Sequence, residues 1–559
     1  KELHIIQSGD IHGWIGGHKD KPNLGDLGTL LSYYENTVKN ISQNSDASVI
    51  LVDSGDQCEG TGLSDAQHPR CAPIYDSLSQ LPYNAMVLGN HDLKIGDAMS
   101  YLHDNLSSFS KKSMVTTNIM WKQGEQLTHF SQPFKFEKLS NGLGVLYLGF
   151  MYPNKDTTVN TAVIDIVEAL HQEVITKVFD DHHAETDILI LNIHYGTWMP
   201  LVGKMLNEVR KIWQDRYNYT VPIHILCGHQ HLKWHINCPY RVDGSKDTQC
   251  FNTEAGSFMR AVQHTVWTLD RLDGKSQSLK VESFKDAEFS IMNLAPRFKL
   301  PINEFMTFNG RQLSNQIKEK YQNMNLDKII GFSKFGYEKQ ANMTYPQSFL
   351  RFLTYAVNPT LVYQKNKECT QFAVTRSALT RTNLPKGNVT KDDAVIAIPF
   401  QFDLEAILKV TGEEAKCIIG YANLWVWVIA DAEAKQKDKV VNFIPNYVHP
   451  QTDWTDKCYD LITNNFESSR LLVSLDYCNI TRKMAVEKYQ TISGITRTDL
   501  LFQEYMKRNF QYFNEKQTEL VNTPIKWVAL GLQIAAFVAM ILIVAFKSQK
   551  SDLYGNLTV

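Results

Sequence analysis

Five short polar blocks, each placed directly after an apolar run, constrain the fold of this chain more than any other feature of its sequence. The apolar runs lie at residues 3–7, 49–53, 85–88, 188–193 and 222–226. Because they are short, rich in Ile, Val and Leu, and bounded by Gly, Asn or Asp, they predict buried strands in a sheet that helices cover on both faces. The blocks that follow the runs are Asp10-Ile11-His12, Gly55-Asp56, Gly89-Asn90-His91-Asp92, His194-Tyr195-Gly196 and Gly228-His229-Gln230-His231.

The side chains of these blocks are of the kinds that bind metal ions. In sheets of this type, functional residues gather on the loops at the carboxyl ends of the strands. All five blocks carry oxygen or imidazole nitrogen donors, so we interpret them as one metal centre. Carboxylate and amide oxygens beside the histidines make the set large enough for two divalent ions. Two such ions, about 3.5–4 Å apart, can clamp both ends of an in-line phosphoryl displacement.

The blocks, in this order and spacing, resemble the motifs of the calcineurin-like metallophosphoesterases, and more narrowly those of the secreted 5′-nucleotidase family. The matched motifs are DLHG at Asp10-Ile11-His12-Gly13, GD…QGT at Gly55-Asp56 with Glu59-Gly60-Thr61, GNHE at Gly89-Asn90-His91-Asp92, and GHxH at Gly228-His229-Gln230-His231. The resemblance implies an α/β fold, with a metallophosphoesterase four-layer αββα sandwich over residues 1–300.

The resemblance also implies which residues would hold two divalent metal ions (Zn, Mn, Fe or Co), with Asp56 as the bridge between them. One ion would be held by Asp10, His12 and His231, and the other by Asn90, His194 and His229. His91 would act as general acid or bind the transferring phosphoryl group, and Asp92 is the second catalytic candidate.

The position three residues after His91 departs from the family. The family usually carries an Asp there, which orients the catalytic His, and this chain has Lys94. Asp92 is adjacent to His91, and an adjacent side chain points in a different direction. Either another carboxylate therefore orients His91, or the general-acid step is weaker.

The second half of the chain resembles the substrate-binding domain of the same family. The family's IPAG and LPFGNTL motifs correspond to Leu384-Pro385-Lys386-Gly387 and to Ala397-Ile398-Pro399-Phe400. By this resemblance Arg381 would contact phosphate, and Phe400 and Phe466 would hold a nucleobase between their rings. The glycines that precede the Arg in the family, and the Asp that follows the second Phe, are missing here, so the pocket departs from that of enzymes for ordinary nucleoside monophosphates.

The sequence divides further at its polar and apolar stretches. Residues 301–327 predict a linker with one amphipathic helix, and residues 328–520 predict a second α/β domain of the 5′-nucleotidase type. Residues 527–546 form an uncharged apolar run long enough to cross a bilayer as one transmembrane helix. We expect a short cytosolic tail at 547–559, whose Tyr554-Gly555-Asn556-Leu557 resembles the Tyr-x-x-apolar signal read by sorting adaptors.

Several features favour a secretory route, with the catalytic domains outside the cytosol. No apolar leader precedes Lys1, so we expect a signal peptide that has been removed. Asn-x-Ser/Thr sequons occur at Asn40, Asn105, Asn218, Asn342, Asn388 and Asn479. Spacing predicts disulfides that join Cys58 to Cys71, Cys238 to Cys250 and Cys458 to Cys478, with Cys369 to Cys417 as a candidate fourth and Cys227 as a free thiol.

The sequence therefore predicts a membrane-anchored, two-metal phosphohydrolase of the 5′-nucleotidase type, at the cell surface or in an endosome, lysosome or vacuole. It would hydrolyse a small-molecule phosphate ester, such as a nucleotide, by in-line attack of a metal-bound hydroxide. Two alternatives stay open: a phosphodiesterase or pyrophosphatase for cyclic nucleotides or nucleotide sugars, and a non-catalytic cell-surface binding protein on the same fold. A net charge of −2 and the lack of a basic tract argue against nucleic acid as a partner.

Overall fold

The computed structural model describes residues 1–509 apart from 156, 198, 239–245, 273, 285–287, 340–342, 365–367, 436–446, 450–452, 457 and 492–493. The chain divides into two compact units. Of the described residues, the first unit comprises those in 1–328 and 391–400, and the second comprises those in 329–390 and 401–509. The structure therefore assigns the predicted linker to the first unit.

Both units contain strands and helices. The strands are β1 (Glu2–Ser8), β2 (Ala47–Asp53), β3 (Tyr83–Met86), β4 (Ile119–Gln123), β5 (Gln126–His129), β6 (Lys135–Lys138), β7 (Gly144–Met151), β8 (Thr161–Val163), β9 (Ile188–His194), β10 (Ile223–Cys227), β11 (Lys233–Asn237), β12 (Cys250–Ala255), β13 (Gln263–Leu272), β14 (Lys275–Phe284), β15 (Ile329–Ser333), β16 (Thr370–Ala373), β17 (Thr375–Arg376), β18 (Gly387–Thr390), β19 (Leu404–Val410), β20 (Tyr447–Val448), β21 (Tyr459–Asn464) and β22 (Val486–Lys488). The α-helices are α1 (Leu27–Ile41), α2 (Gly62–Asp65), α3 (Ala72–Leu78), α4 (Asn90–Leu93), α5 (Gly96–Ser100), α6 (Ser107–Ser113), α7 (Ile166–Leu170), α8 (Glu173–His182), α9 (Pro200–Tyr217), α10 (Ile291–Leu294), α11 (Phe308–Asn323), α12 (Phe349–Phe352), α13 (Asn358–Leu361), α14 (Lys391–Ala397), α15 (Gly412–Lys435) and α16 (Asn465–Leu472).

Two mixed sheets stand at the centre of the first unit. Their strand orders are β14-β13-β1-β2-β3 and β11-β12-β10-β9-β7-β6, and β4, β5 and β8 form a smaller third sheet. Neighbouring strands run parallel from β1 to β3, and also across β7, β9, β10 and β12. The five strands that precede the polar blocks therefore belong to two sheets, whereas the apolar pattern alone predicted one.

The alternation of side chains along the strands explains why the apolar runs are continuous. In β1, Leu3 and Ile5 belong to an apolar cluster shared by both sheets, whereas Ile6 belongs to a second cluster that includes α1. In β9, Ile190 joins the shared cluster, and Leu191 joins a third cluster formed with α7, α8 and α9. The first unit is thus a four-layer sandwich, with helices outside both sheets.

Helix α11, in the predicted linker, packs onto the first unit. Its capping residue Thr307 accepts a hydrogen bond from the N–H of Gly310 through its side chain. Leu313 and Ile317, about one turn apart, are buried in the same apolar cluster as α1. The helix is therefore part of this unit's core.

The second unit is built around one sheet of order β16-β21-β19-β22, and the pairs β15-β18 and β17-β20 are separate. Helices α15 and α16 pack on this sheet through a cluster that includes Ile407, Ile418, Leu461 and Leu471. The unit is α/β, as predicted. Residues 391–400 interrupt it in sequence but belong to the first unit, where α14 packs against α2.

Four disulfides join eight of the nine cysteines, all of which lie in the described residues. Cys58 pairs with Cys71 and Cys238 with Cys250, as predicted, and Cys227 is a buried free thiol. The other two predicted pairings are wrong, because the structure joins Cys369 to Cys458 and Cys417 to Cys478. Cys369 and Cys458 each directly precede a strand, and those strands, β16 and β21, pair in parallel with Thr370 opposite Tyr459.

In the part of the chain that the structure describes, no helix combines the length and apolar character needed to cross a bilayer. The predicted transmembrane helix at 527–546 lies outside the described residues. So do the predicted tail with Tyr554 and Leu557 and the sequon at Asn342.

Candidate metal centre

Loops at the carboxyl ends of five strands converge on one site in the first unit. Asp10 and His12 follow β1, Asp56 follows β2, Asn90 begins α4 after β3, His194 ends β9, and His229 and His231 follow β10. Backbone hydrogen bonds join the first two loops, since the N–H of Asp10 donates to the carbonyl of Gly55 (2.8 Å) and that of His12 to the carbonyl of Asp56 (2.9 Å). The structure thus brings all seven predicted ligands together.

Asp10, His12 and His231 form the first of two ligand groups. The Nε2 atoms of His12 and His231 are 3.1 Å apart, and Asp10 Oδ1 lies 3.4 Å from the latter and 3.9 Å from the former. The Nδ1 atom of His12 lies 3.0 Å from the carbonyl oxygen of Cys58. Because a carbonyl oxygen only accepts hydrogen bonds, it places a proton on Nδ1 and leaves the lone pair of Nε2 directed at the group.

Asp56, Asn90, His194 and His229 form the second group. Asp56 Oδ2 is 3.2 Å from His194 Nε2 and 3.6 Å from His12 Nε2, so this carboxylate lies between the two groups. His229 Nδ1 is 2.9 Å from Asn90 Oδ1. His194 is oriented by its other nitrogen, since Nδ1 lies 2.7 Å from the carbonyl oxygen of Ser54 while the buried Nε2 faces Asp56 Oδ2.

The donors and their spacing fit divalent cations. Metal–ligand bonds of about 2.0–2.2 Å require the ligand atoms of one ion to lie close together, and here they lie within 4.8 Å of one another. The groups that satisfy this are Asp10 with His12 and His231, His12 with Asp56 and His91, and Asp56 with His194 and His229. His194 Nε2 and Asp56 Oδ2, both buried, lie close enough together to bind one cation.

Burial and mutual proximity shift the pKa values of the ligands in opposite directions. Burial raises the pKa of Asp10 well above its usual range. Burial acts in the same direction on Asp56, but the neighbouring His194 and His91 hold the pKa of that carboxyl well below its usual range. Against the effect of burial, Asp56 and Asp10 raise the pKa of His194 to about 10. Because ligation needs a neutral imidazole, a cation that binds His194 must displace this proton.

The backbone is strained where the ligands lie. Five of the seven predicted ligands have φ in the left-handed region, which costs a non-glycine residue about 1–3 kcal/mol. They are Asp10 (48°), His12 (48°), Asp56 (54°), His229 (81°) and His231 (61°). Such conformations persist only where the surrounding structure holds them. The fold thus maintains unfavourable loop conformations that turn the donors inward.

Close approach of the loops depends on Gly89. A Cβ atom at this position would lie 2.1 Å from Asp56 Oδ1 and 2.4 Å from the backbone nitrogen of Asp56. The absence of a side chain at Gly89 therefore lets the loop after β3 reach the shared carboxylate.

His91 lies at the edge of the ligand groups, with its Nε2 atom 4.0 Å from Asp56 Oδ2. Its Nδ1 atom contacts the carboxylate of Glu59, which also contacts the ammonium group of Lys94. Burial and the charge of Lys94 lower the pKa of His91. The sequence did not assign a role to Glu59, because it belongs to another loop, 32 positions before His91.

Asp92 occupies a different environment from His91. Its buried carboxylate accepts hydrogen bonds from the backbone N–H groups of Gly89 (2.8 Å) and Cys58 (3.0 Å). Burial, assisted by the charge of Asp56, raises the pKa of Asp92 to about 7. Because these contacts join the loops after β2 and β3, they favour a structural role for Asp92 over a catalytic one.

The predicted substrate residues are divided between the two units. Phe400 belongs to the first unit, where its ring centroid lies 6.2 Å from that of His91 and 5.4 Å from Nζ of Lys94. Phe466 belongs to the second unit and stacks in parallel on Phe402, with ring centroids 5.1 Å apart. Within the second unit, Phe402 is thus an aromatic partner of Phe466, and the predicted pairing of Phe466 with Phe400 stays a prediction.

Arg381 lies in the second unit near another cation, Lys339. Burial and the charge of Arg381 lower the pKa of Lys339. An anion bound beside these two side chains would relieve the repulsion between them.

Comparison with known proteins agrees with this geometry. Residues 3–233 match the calcineurin-like phosphoesterase family, and residues 337–468 match the C-terminal domain of NAD nucleotidase. In fold, the chain is similar to the crystal structure of a 5′-nucleotidase from Candida albicans, with a TM-score of 0.76 at 18% identity over 90% of this chain and 98% of that one. The chain therefore carries a calcineurin-like phosphoesterase domain followed by a C-terminal domain like that of NAD nucleotidase.

Two relatives of this chain are similar to it in sequence. An uncharacterized protein from Saccharomyces cerevisiae is 23% identical over 417 residues, which are 72% of this chain and 67% of that protein. A secreted protein from Arthroderma benhamiae is 28% identical over 242 residues, which are 42% of this chain and 35% of that protein.

Proposed function

We propose that this chain is a metal-dependent phosphohydrolase of nucleotides, with two divalent cations at its catalytic centre. One observation gives this proposal its main support: the seven donors converge in two groups that share the carboxylate of Asp56. Cations bound there would activate water as the nucleophile and neutralise charge on the phosphoryl oxygens. Zn, Mn, Fe and Co all accept such mixed imidazole, carboxylate and amide ligands.

The residues around Asp56 hold the reacting groups in place. The backbone N–H of His91 donates to Asp56 Oδ1 at 2.8 Å, which fixes the shared carboxylate against the loop after β3. Because His91 Nε2 points toward Asp56, it can reach an oxygen of a phosphoryl group held by the same ligands. His91 would steady or protonate the leaving oxygen, a contribution of about 10²–10⁴-fold for a general acid.

The second unit offers contacts for a nucleotide. Arg381, with Lys339 nearby, would bind a phosphate group, since guanidinium and phosphate form strong charge-assisted hydrogen bonds. Phe466 and Phe402 present aromatic faces on which a base can stack. Phe400 stays a predicted substrate contact, on the side of His91.

A pyrophosphatase acting on a dinucleotide is the second candidate. The match of residues 337–468 to the C-terminal domain of NAD nucleotidase favours it. The same ligand groups would serve phosphate monoesters and anhydrides, so the second unit would decide between the two functions.

We infer an extracellular or lumenal location. The described residues hold four disulfides, which persist in oxidising compartments, and one relative is a secreted protein. The sequon residues Asn40, Asn105, Asn218, Asn388 and Asn479 are all exposed. Endoglycosidase treatment of the native protein should therefore increase its electrophoretic mobility, and unchanged mobility would count against this location. The membrane anchor at 527–546 stays a prediction.

Phosphate release by the purified full chain tests the function. The chain is stripped of metal, reloaded with Zn or Mn, and offered nucleoside monophosphates, NAD, nucleotide sugars, cyclic nucleotides and an aryl phosphate. Asp56→Asn keeps the size of the side chain but removes its charge from both ligand groups. We expect a loss beyond the roughly 10–100-fold that follows when an outer partner of a metal site is removed. Asp180→Asn, which removes an exposed carboxylate paired with Arg216, is the matched control.

The outcomes separate the candidates. Metal-dependent turnover that is lost in Asp56→Asn and kept in Asp180→Asn supports the phosphohydrolase, and a preference for NAD over monophosphates favours the pyrophosphatase. Metal binding without turnover of any substrate would instead indicate a binding protein on the same fold.

A further inference from the structure

A largely buried cluster of charged side chains lies beside His91 and contacts its Nδ1 atom through Glu59. Its members are Glu59, Asp65, Arg70 and Lys94. Glu59 Oε2 contacts both Nδ1 of His91 and Nζ of Lys94, and the guanidinium of Arg70 lies 3.3 Å from Oε1. Glu59 is only 2% exposed, so one carboxylate is shared by an imidazole and two cations away from water.

The loop that carries Glu59 is constrained on both sides. Glu59 follows Cys58 directly, Arg70 directly precedes Cys71, and a disulfide joins the two cysteines. The backbone N–H of Glu59 donates to the hydroxyl of Ser64 at 2.7 Å, and its φ of 66° lies in the left-handed region. A non-glycine residue keeps this conformation only where its contacts hold it. The position of the carboxylate against His91 is therefore built into the loop.

We propose that Glu59 is the positioning residue of His91, in the role that a carboxylate on the helix of His91 would otherwise have. This inference rests on the proposed function, in which His91 delivers a proton to the leaving oxygen. Because an ionised carboxylate only accepts hydrogen bonds, Glu59 keeps a proton on Nδ1 and directs Nε2 toward Asp56. Lys94 lies three residues after His91 and neutralises Glu59 instead of orienting the ring.

The proton transfer itself takes place at Nε2. The proton to be transferred is held on Nε2, while Nδ1–H stays bonded to Glu59. As the P–O bond to the leaving group breaks, its electron pair stays on the leaving oxygen, which takes the proton from Nε2. The ring returns to its neutral form, with Nδ1–H still bonded to Glu59. A ring that can adopt the other tautomer does not complete this step.

The need to neutralise Arg70 does not by itself explain the position of Glu59. Arg70 already has a closer partner in Asp65, whose Oδ1 lies 2.5 Å from the guanidinium. Buried ion pairs also contribute little net stability, because the cost of desolvation offsets their attraction. The contact of Glu59 with Nδ1 of His91 is the one that a catalytic role requires.

The test compares turnover by the metal-loaded full chain and by its Glu59→Gln variant. Gln keeps the size of Glu but lets the ring take either tautomer, so we expect kcat to fall by about 10²–10⁴-fold with little change in KM. We expect the larger loss with a nucleoside monophosphate, and a smaller one with an aryl phosphate, whose leaving oxygen needs no proton. Glu208→Gln is the matched control, because Glu208 pairs with a surface histidine, His171, at 2.8 Å.

A second variant tests whether Glu59 positions His91 or only supports the local structure. In the Glu59→Gln background, Lys94→Asp returns a carboxylate to the helix of His91, three residues on and on the same face. We expect this double variant to recover most of the lost kcat. If Glu59→Gln alone fails to fold because the partly buried Lys94 loses the carboxylate of Glu59, the double variant Glu59→Gln with Lys94→Gln provides the same test. Thermal unfolding and metal content establish that each variant is folded and loaded.

Different results would contradict the role of Glu59 and the proposed function of the chain. Native kcat in the folded Glu59→Gln variant, an equal loss with both substrates, or a loss confined to KM would overturn the role of Glu59. Absence of turnover by the native chain with every substrate would overturn the proposed function itself.

Discussion

A single methyl group at position 89 should disable the metal centre although every ligand stays in place. A Cβ atom on Gly89 would lie 2.1 Å from Asp56 Oδ1 and 2.4 Å from the backbone nitrogen of Asp56. Real Cβ contacts below 3.0 Å are essentially absent from proteins, so Asp56 Oδ1 would have to move by about 0.9 Å and the backbones of the two loops would have to separate by about 0.6 Å. Because one of the two contacts is with backbone, rotation of the Asp56 side chain cannot relieve it.

A displacement of this size is large on the scale of catalysis. Misplacement by about 1 Å costs roughly 10²-fold in rate, and overpacking of a dense site costs about 1–3 kcal/mol of stability. We therefore expect Gly89→Ala to lose about 10²-fold or more in kcat. Metal content should fall as well, because Asp56 belongs to both ligand groups.

Steady-state phosphate release gives kcat, and elemental analysis after dialysis gives the metal content. Gly96→Ala in α5 is the matched control, because the nearest atom to its added Cβ is 3.7 Å away, at an ordinary contact distance. We expect this control to keep native turnover and metal content. A folded Gly89→Ala variant with native kcat and native metal content would refute the close approach of Gly89 to Asp56.

Three further predictions follow from burial and covalent links. Peptide mapping of the non-reduced chain should find Cys369 linked to Cys458, and replacement of both by Ala should cost up to about 4.6 kcal/mol in urea unfolding, for a sequence separation of 89; a Cys458–Cys478 peptide would contradict this. Burial lowers the pKa of His224 to about 3 from 6.5, so the unfolded chain binds a proton that the folded chain excludes, and stability is lost as the pH falls below about 6.5. His224→Gln should reduce the slope of unfolding free energy against pH by up to about 1.4 kcal/mol per pH unit between those values, and an unchanged slope would count against it. Chelation should lower Tm and added Zn or Mn should restore it, because metal at 100 times its Kd adds about 2.7 kcal/mol to the free energy of unfolding. A Tm that does not change with metal would contradict the proposed centre.

The donors of the candidate centre could be predicted because each lies in a short block directly after a strand. The residue type alone shows that His194 and Asp56 can bind a metal. Their positions at the ends of parallel strands place them at the edge of a sheet where functional residues gather. The division into two sheets could not be predicted from the apolar runs. A strand covered by helices on one face and by a second sheet on the other has the same continuous apolar pattern as a strand between two helical layers.

Local sequence patterns also could not predict contacts between segments that lie far apart in the sequence. Cys369 is bonded to Cys458 because β16 and β21 pair in parallel. The spacing of the cysteines along the chain does not show how these strands pair. Phe466 stacks on Phe402, a contact that the motif containing Phe400 did not predict. Glu59 likewise contacts His91 from a separate loop.

The roles of Lys94 and Glu59 depend on each other. A carboxylate buried beside His91 without a cation would take up a proton, and a protonated Glu59 could donate to Nδ1 and favour the wrong tautomer of the ring. Burial alone would raise the pKa of Glu59 in this way, but Lys94, together with His91 and Arg70, holds it well below its usual range. Glu59 therefore stays an acceptor. The lysine that replaces the expected Asp is thus what allows a carboxylate from another loop to orient His91.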